Sequence, residues 1–136
     1  MSQNETEYKV EQACDLAGQV IGMAMRIHRT LGTGFLENVY HQALCVELKD
    51  AELKFETEKP IVVRYLDTVV GEFKADLMID QQLIVEIKAV NGLLAAHEVQ
   101  LVNYLAATGI NEGLLLNFGT SSLEFRKKYR VYRQTK

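Results

Sequence analysis

The chain has 136 residues, of which 48% are hydrophobic, and it carries a formal net charge of −3. This length and apolar content predict a single domain over residues 1–136, large enough to bury a core without disulfides or a structural metal. No apolar run approaches the length of a membrane span, and the polar start lacks the layout of a signal peptide. We therefore expect a cytoplasmic protein that does not associate with membranes.

Positive charge is concentrated in a basic C-terminal segment, 126–136, which holds six of the 15 Lys and Arg residues and no acidic residue. Such a segment could contact phosphates, although basic chain ends are often only solvated. The two cysteines, Cys14 and Cys45, are too few and too scattered for a disulfide framework or a zinc site. We expect both to be buried, reduced thiols.

The first third of the chain is predicted to be helical. Apolar residues recur at helical spacing over 12–31, and Gly32-Thr33-Gly34 interrupts that pattern. A second helix is predicted over 36–50. Its inward-facing positions are predicted to be Leu36, Tyr40, Ala43, Leu44 and Leu48.

The pattern then changes to alternation at every second residue. Strands are predicted over 61–66, 72–80 and 83–90, with turns at Asp67-Thr68 and Asp80-Gln81-Gln82. The second strand is predicted to present Phe73, Ala75, Leu77 and Ile79 on one face. The odd positions of the third strand are wholly apolar.

A third helix is predicted over 93–108, with Gly109 ending it in a left-handed conformation. Residues 113–118 read as a strand covered on both faces, and a last strand is predicted near 123–131. The order is thus helix, helix, three strands, helix, two strands. It predicts an α/β (α+β) fold with helices packed on a central mixed β-sheet.

Two carboxylates and a lysine stand out on neighbouring predicted strands. Mg²⁺ and Mn²⁺ prefer oxygen ligands, and Asp76 and Glu86 are suitable ones, with the carbonyl of Ile87 as a neutral addition. Lys88 lies two residues after Glu86 and so on the same face of the strand. Its ammonium group would position an attacking water and offset negative charge in the transition state. An Asp followed by Glu-x-Lys is by itself a weak pattern.

The geometry of one hairpin decides whether these carboxylates can meet. A three-residue loop at 80–82 pairs Asp76 with Glu86, whereas a two-residue loop would place them on opposite faces of the sheet. We predict the three-residue loop. The alternative interpretation is a solvated row of surface charges, which the apolar neighbours of Glu86 disfavour because unpaired charge in a central strand is costly.

Further candidates surround this set. Glu37 lies in the first turn of the second helix, where the positive end of the helix favours a carboxylate, and could complete a metal site. His97, Gln100 and Tyr104 share one face of the third helix, and Gln100 could orient water or a carboxylate. Tyr40 could hydrogen-bond within the site or equally be a core tyrosine with a satisfied hydroxyl.

These residues together resemble the GxxExxY protein family, a branch of the PD-(D/E)XK nuclease superfamily. The resemblance extends from about Val20 to Phe125. It is carried by five motifs in order: Gly34-x-x-Glu37-x-x-Tyr40, Ala75-Asp76-Leu77, Ile84-Val85-Glu86-Ile87-Lys88-Ala89-Val90, His97-x-x-Gln100-x-x-x-Tyr104-Leu105, and Gly113-Leu114-Leu115-Leu116-Asn117-Phe118-Gly119.

The resemblance implies a restriction-endonuclease-like core and a site whose parts are all present. It implies that Asp76 and Glu86 are metal ligands, that Lys88 is the catalytic lysine, that Glu37 is the carboxylate contributed by the N-terminal helix, and that Gln100 is an accessory residue. The implied activity is hydrolysis of phosphodiester bonds in DNA or RNA with Mg²⁺ or Mn²⁺, and a homodimer is a reasonable expectation. The alternative is a catalytically silent module that binds nucleic acid or protein on a nuclease-like scaffold.

Overall fold

The computed structural model describes residues 15–131. Within that range the elements are α1 (Leu16–Leu31), α2 (Glu37–Asp50), β1 (Phe55–Tyr65), β2 (Thr68–Ile79), β3 (Leu83–Lys88), α3 (Ala95–Thr108), β4 (Glu112–Asn117) and β5 (Glu124–Tyr129). The predicted order of elements is confirmed. Cys14, the start of the helix predicted over 12–31 and the basic residues Arg133 and Lys136 lie outside the described residues, so the single domain over 1–136 stays a prediction.

The strands form one mixed sheet in the order β1-β2-β3-β4-β5. Neighbours are antiparallel except β3 and β4, which are parallel. A parallel pair needs a crossover connection, and α3 provides it. The predicted fold class, helices on a central mixed sheet, is confirmed.

Apolar side chains pack on both faces of this sheet. One cluster joins α1 and α2 to the odd-numbered apolar residues of β3, whereas Ile84 belongs to a second cluster beneath α3. Strand β4 divides in the same way, since Leu114 and Leu116 pack towards α1 and α2 and Leu115 packs towards α3. The central strands are therefore covered on both sides, as the continuous apolar run of residues 113–118 predicted for β4.

The connection between β2 and β3 has the predicted length of three residues, 80–82. Backbone pairing runs from the loop to Leu77 opposite Val85. The next positions in this register are Asp76 and Glu86. The hairpin therefore has the loop length that lets Asp76 and Glu86 lie opposite each other.

The alternation predicted along β2 is wrong at Asp76. Ala75 packs in the cluster beneath α3, whereas Leu77 and Ile79 pack in the cluster beneath α1 and α2. Opposite Asp76, the ladder with β1 skips Glu58, whose φ is 52°. The register of β1 and β2 is the same on both sides of this gap, and the inward-facing side chains of β2 change face at Asp76.

Strand β1 begins at Phe55, earlier than the predicted start at residue 61. Pro60 lies within it, which is tolerated because β1 is an edge strand and needs no donor on its outer side. The turn that follows is Leu66-Asp67 and not Asp67-Thr68. Both turn residues have positive φ, 49° and 66°, as in a two-residue type I′ hairpin turn.

The predicted end of α3 is confirmed, whereas one of the inward-facing positions predicted for α2 is wrong. Gly109 ends α3 with φ 76°, as predicted. The inward orientation predicted for Leu36 is wrong, because Leu36 precedes α2 and is 82% exposed.

Cys45 on α2 is a buried free thiol, as predicted. None of the helices between residues 15 and 131 is both long and apolar enough to cross a membrane.

Candidate active site

Asp76 and Glu86 meet where backbone pairing between β2 and β3 stops. The Asp76 N–H donates a hydrogen bond to the Glu86 carboxylate (N···Oε1 3.3 Å), and the Ile87 N–H donates one to the Asp76 carboxylate (N···Oδ2 2.7 Å). Side-chain oxygens here accept from backbone N–H groups that a ladder would otherwise pair. The backbone of both strands therefore fixes the two carboxyl groups beside each other.

Glu86 is the buried member of this pair, with 5% of its surface exposed. Burial, and after it the negative charge of Asp76, raises the pKa of Glu86 from 4.5 to about 9. A hydrogen bond between the two carboxyl groups also favours a proton on Glu86. In the absence of a cation the pair thus holds a proton at neutral pH. A hard divalent cation fits this donor set, because it would neutralise both carboxylates in place of that proton.

Lys88 lies on the same strand face as Glu86, two residues further along β3. It is partly buried, and its positive charge opposes the upward shift in the pKa of both Glu86 and Glu37. The ammonium group is therefore near enough to act electrostatically on the carboxylates of β3 and α2.

Glu37 faces the same site from the first residue of α2. Partial desolvation, and after it the charge of Asp76, raises the pKa of Glu37, while Lys88 and His41 lower it. The side chain is nevertheless solvent-exposed. Glu37 therefore interacts electrostatically with the buried pair from the solvent-exposed side of the site.

The predicted ligands do not form a closed cluster. Between residues 15 and 131, no three His, Cys, Asp or Glu side chains are grouped tightly enough to hold a metal ion. The structure brings Asp76 and Glu86 together, with Lys88 beside them and Glu37 at longer range. The Ile87 side chain is buried in the core and its N–H binds Asp76, so a metal contact through its carbonyl stays a prediction.

Helix α3 brings Tyr104 to the carboxylate pair. Tyr104 is buried, and desolvation, followed by the charges of Glu86 and Asp76, raises the pKa of its hydroxyl. Gln100, one turn earlier, is exposed and lines a cavity together with Tyr104. Tyr104 packs in the same cluster as Ala75, the residue before Asp76, and this places it on the side of the sheet that carries Glu86.

Tyr40 and His97 have structural contacts. The Tyr40 hydroxyl donates to the Gly32 carbonyl (2.6 Å) and accepts from the Phe35 N–H (3.3 Å), and its ring stacks on Phe118 at 4.6 Å. Tyr40 is therefore buried with a satisfied hydroxyl and fixes the loop that leads into α2, while a role within the site stays a prediction. His97 accepts the Leu94 N–H at Nδ1 (3.0 Å) and so caps the start of α3.

Asn117 is the residue that sequence reasoning missed. It is fully buried at the end of β4, where its Oδ1 accepts the N–H groups of Val90 and Gly119 and its Nδ2 donates to the Val90 carbonyl and to Glu124. Glu124 also accepts the Leu93 N–H. These bonds tie the segment after Lys88 to β4 and β5. An amide within an otherwise apolar doubly covered strand was the available signal.

Gly119 is expected to be essential to this connection. A Cβ at position 119 would lie 2.2 Å from the Val90 carbonyl oxygen, whereas one at Gly92, in the same segment, meets nothing within 4 Å. Gly119→Ala should therefore destabilise the protein by about 1–3 kcal/mol, lowering the Tm, while Gly92→Ala should change it little. Thermal unfolding of both variants tests this, and equal Tm values would contradict it.

The basic segment is largely paired within the chain where it is described. Arg126 pairs with Glu124 (3.4 Å), Lys127 with Asp15 (3.7 Å) and Lys128 with Glu98 (2.6 Å). Exposed pairs of this kind are weak, so a polyanion could compete for them. Because these basic side chains are already paired within the chain, their positions do not by themselves support the predicted phosphate contacts.

A mixed sheet carrying Asp76 and Glu86-x-Lys88 on adjacent strands, flanked by helices, defines a restriction-endonuclease-like protein. The chain matches the family model of the PD-(D/E)XK nuclease superfamily over residues 14–130. It therefore belongs to that superfamily.

Among solved structures, the crystal structure of SSO0001 is similar, with a TM-score of 0.54 and 20% sequence identity. The match covers 71% of this chain but only 52% of the other, so the chain spans about half the length of that structure. At this identity the likeness concerns the fold alone. No curated protein matches the chain significantly.

Proposed function

We propose that this protein is a Mg²⁺- or Mn²⁺-dependent nuclease that hydrolyses phosphodiester bonds in nucleic acid. The observation that carries the proposal is the contact between the buried Glu86 carboxyl and Asp76, with Lys88 on the same strand. A structural role alone does not account for a glutamate buried beside a second carboxylate, since the pair is costly without a cation or a proton. Superfamily membership supports a nucleic-acid substrate.

Each residue has a distinct role in this proposal. Asp76 and Glu86 would hold the cation, with the Ile87 carbonyl as a further oxygen and Glu37 approaching from α2. When bound, the ion would polarise the scissile phosphate and lower the pKa of the attacking water. The backbone N–H donors from Asp76 and Ile87 keep both carboxylates oriented before any ligand arrives.

Lys88 would stabilise the transition state and orient the nucleophile. Phosphodiester hydrolysis builds negative charge on the phosphate oxygens, and a fixed ammonium in a partly buried site stabilises that charge more than water does. Gln100 and Tyr104, on α3, would contact the substrate side of the site. Tyr40 and His97 act at a distance, through the loop before α2 and the cap of α3.

The proposal also includes the branch of the superfamily, the cellular location and the oligomeric state. The motif Gly34-x-x-Glu37-x-x-Tyr40 supports placement in the GxxExxY branch of the superfamily. The buried free thiol of Cys45 fits a reducing, cytoplasmic location. A homodimer is also part of the proposal, and light scattering would measure its mass.

Thermal unfolding with and without Mn²⁺ tests the site before any substrate is known. A ligand that binds only the folded state raises stability by about 2.7 kcal/mol at 100 times its Kd. We therefore expect Mn²⁺ to raise the Tm of the wild type. Asp76→Ala/Glu86→Ala should lose that rise, and the matched double variant Glu72→Ala/Asp80→Asn, which alters two exposed carboxylates of the same hairpin, should keep it.

Cleavage of a panel of single- and double-stranded DNA and RNA with Mn²⁺ then tests the activity. The wild type should cleave at least one substrate class, and Glu86→Ala should abolish cleavage without loss of the fold. A wild type that shows neither a Mn²⁺-dependent Tm rise nor cleavage would leave the silent scaffold as the better interpretation.

A further inference from the structure

A second feature lies beside the carboxylate pair. A cavity of about 900 Å³ separates α3 from the β1–β2 hairpin. Its walls include Val63, Phe73, Val99, Gln100, Asn103 and Tyr104. Its size is in the range of sites that enclose small organic ligands.

One wall of the cavity is aromatic. The Phe73 ring is 44% exposed although it belongs to the strand that carries Asp76. It lies 5.6 Å from the ring of Tyr104, at an angle of 41° between the ring planes. The exposed phenylalanine offers an apolar face on which another ring can stack, and the buried tyrosine supports it at an angle.

The helix side of the cavity supplies amides and no charge. Gln100 and Asn103 lie one turn apart on α3, and both are exposed. No side chain in the described lining of this cavity is charged at neutral pH. Amide groups pair with the donor and acceptor edges of planar heterocycles, and they do so without requiring a charged ligand.

Tyr104 connects the cavity to the carboxylates. It lines the cavity, and its hydroxyl experiences the charges of both Glu86 and Asp76. Phe73 lies three residues before Asp76 on β2, and Tyr104 packs with Ala75, so a ligand in the cavity lies close to the residues proposed to act on a phosphate. The cavity and the carboxylate pair together match the two halves of a nucleotide, an uncharged ring and a charged phosphodiester.

We propose that this cavity receives an unpaired nucleobase of the substrate, stacked on Phe73 with Tyr104 behind it and hydrogen-bonded by Gln100 and Asn103, next to the scissile phosphate. This inference rests on the proposed nuclease function and names its substrate class as single-stranded nucleic acid. A base within a duplex cannot enter, because its faces are covered by its neighbours and its edge by its partner.

Other occupants fit the walls less well. An anionic ligand would find no cation among the lining residues, and a purely apolar ligand would form no hydrogen bond with the two amides. A base has an uncharged ring that can stack and polar edges that can pair with the amides. Single-strand binding by stacking on aromatic side chains also tolerates sequence, in agreement with the small number of polar groups in this cavity.

The test compares strands with and without bases. Fluorescence anisotropy in EDTA would measure the binding of an oligothymidylate of about 15 nucleotides, an abasic strand of equal length and charge, and the corresponding duplex. We expect the wild type to bind the base-bearing strand about 10-fold or more tightly than the other two. Phe73→Leu should remove most of that preference, and the control Val69→Ala, on the same hairpin outside the cavity, should keep it.

The outcomes separate this inference from the proposed function. Equal binding of base-bearing and abasic strands, or a preference that Phe73→Leu leaves intact, would overturn the cavity assignment, whether or not Mn²⁺-dependent cleavage is found. A base preference without cleavage would retain the cavity and reject the nuclease. A change of molar mass in Phe73→Leu with unaltered strand binding would identify a second copy of the chain as the occupant and overturn the inference.

Discussion

Replacing Glu86 with Gln is expected to raise the Tm of the metal-free protein by an amount that grows from about pH 5 to about pH 9. The pKa of Glu86 is 4.5 in an ordinary environment and about 9 in the fold. Between these values the folded state binds more protons than the unfolded state, so the wild type loses about 1.4 kcal/mol of stability per pH unit. Glutamine does not titrate and keeps its acceptor for the Asp76 N–H.

The same variant should lose its response to Mn²⁺, because a neutral amide replaces the ionised ligand. Thermal unfolding in EDTA and in Mn²⁺ across this pH range measures both effects. Glu72→Gln is the matched control, since it removes an exposed carboxylate from the same strand. A Tm difference that stays constant with pH would show that Glu86 is not held protonated by its surroundings.

Lys88→Met is expected to lower kcat about 100- to 1,000-fold while the Tm rise with Mn²⁺ is retained. Methionine has a similar length but no charge, so the transition state loses its fixed positive group while Asp76 and Glu86 remain in place. The measurement is a single-turnover cleavage rate on the substrate found in the panel, alongside the Mn²⁺-dependent Tm. Lys74→Met, on an exposed position of β2, should leave both unchanged.

Two results would contradict the role of Lys88. Full activity of Lys88→Met would show that transition-state charge is stabilised elsewhere. Loss of the Tm rise would instead show that Lys88 mainly holds the carboxylates, and its effect on catalysis would then be indirect. Lys88→Arg separates charge from geometry, because arginine keeps the charge but its planar fork places the donors differently.

Local sequence patterns predicted the structure correctly where a single local rule decides it. The hairpin after β2 was predictable because strand parity allows Asp76 and Glu86 to meet only with an odd loop length, and the loop 80–82 has three residues. Gly109 was predictable as a helix end because glycine takes positive φ without strain. The buried central strands followed from their continuous apolar runs.

Prediction failed where a long-range contact decides the outcome. The change of face between Ala75 and Leu77 falls where the pairing between β1 and β2 is interrupted, which periodicity along β2 cannot reveal. The role of Asn117 depends on its reaching Val90 and Glu124 together. In the sequence, these partners lie well before and after it.

The sequence by itself determined which residue types are available and in what order: an aspartate, a Glu-x-Lys strand, and helices before and after them. Spacing and alternation are local properties, so they suffice to place Asp76 opposite Glu86. Only the tertiary structure decided that Glu86 is buried beside Asp76, and that Glu37 stays at the exposed rim. The physical reason is that the pKa of a carboxyl group depends on the solvent and charges that surround it, and packing of distant segments sets both.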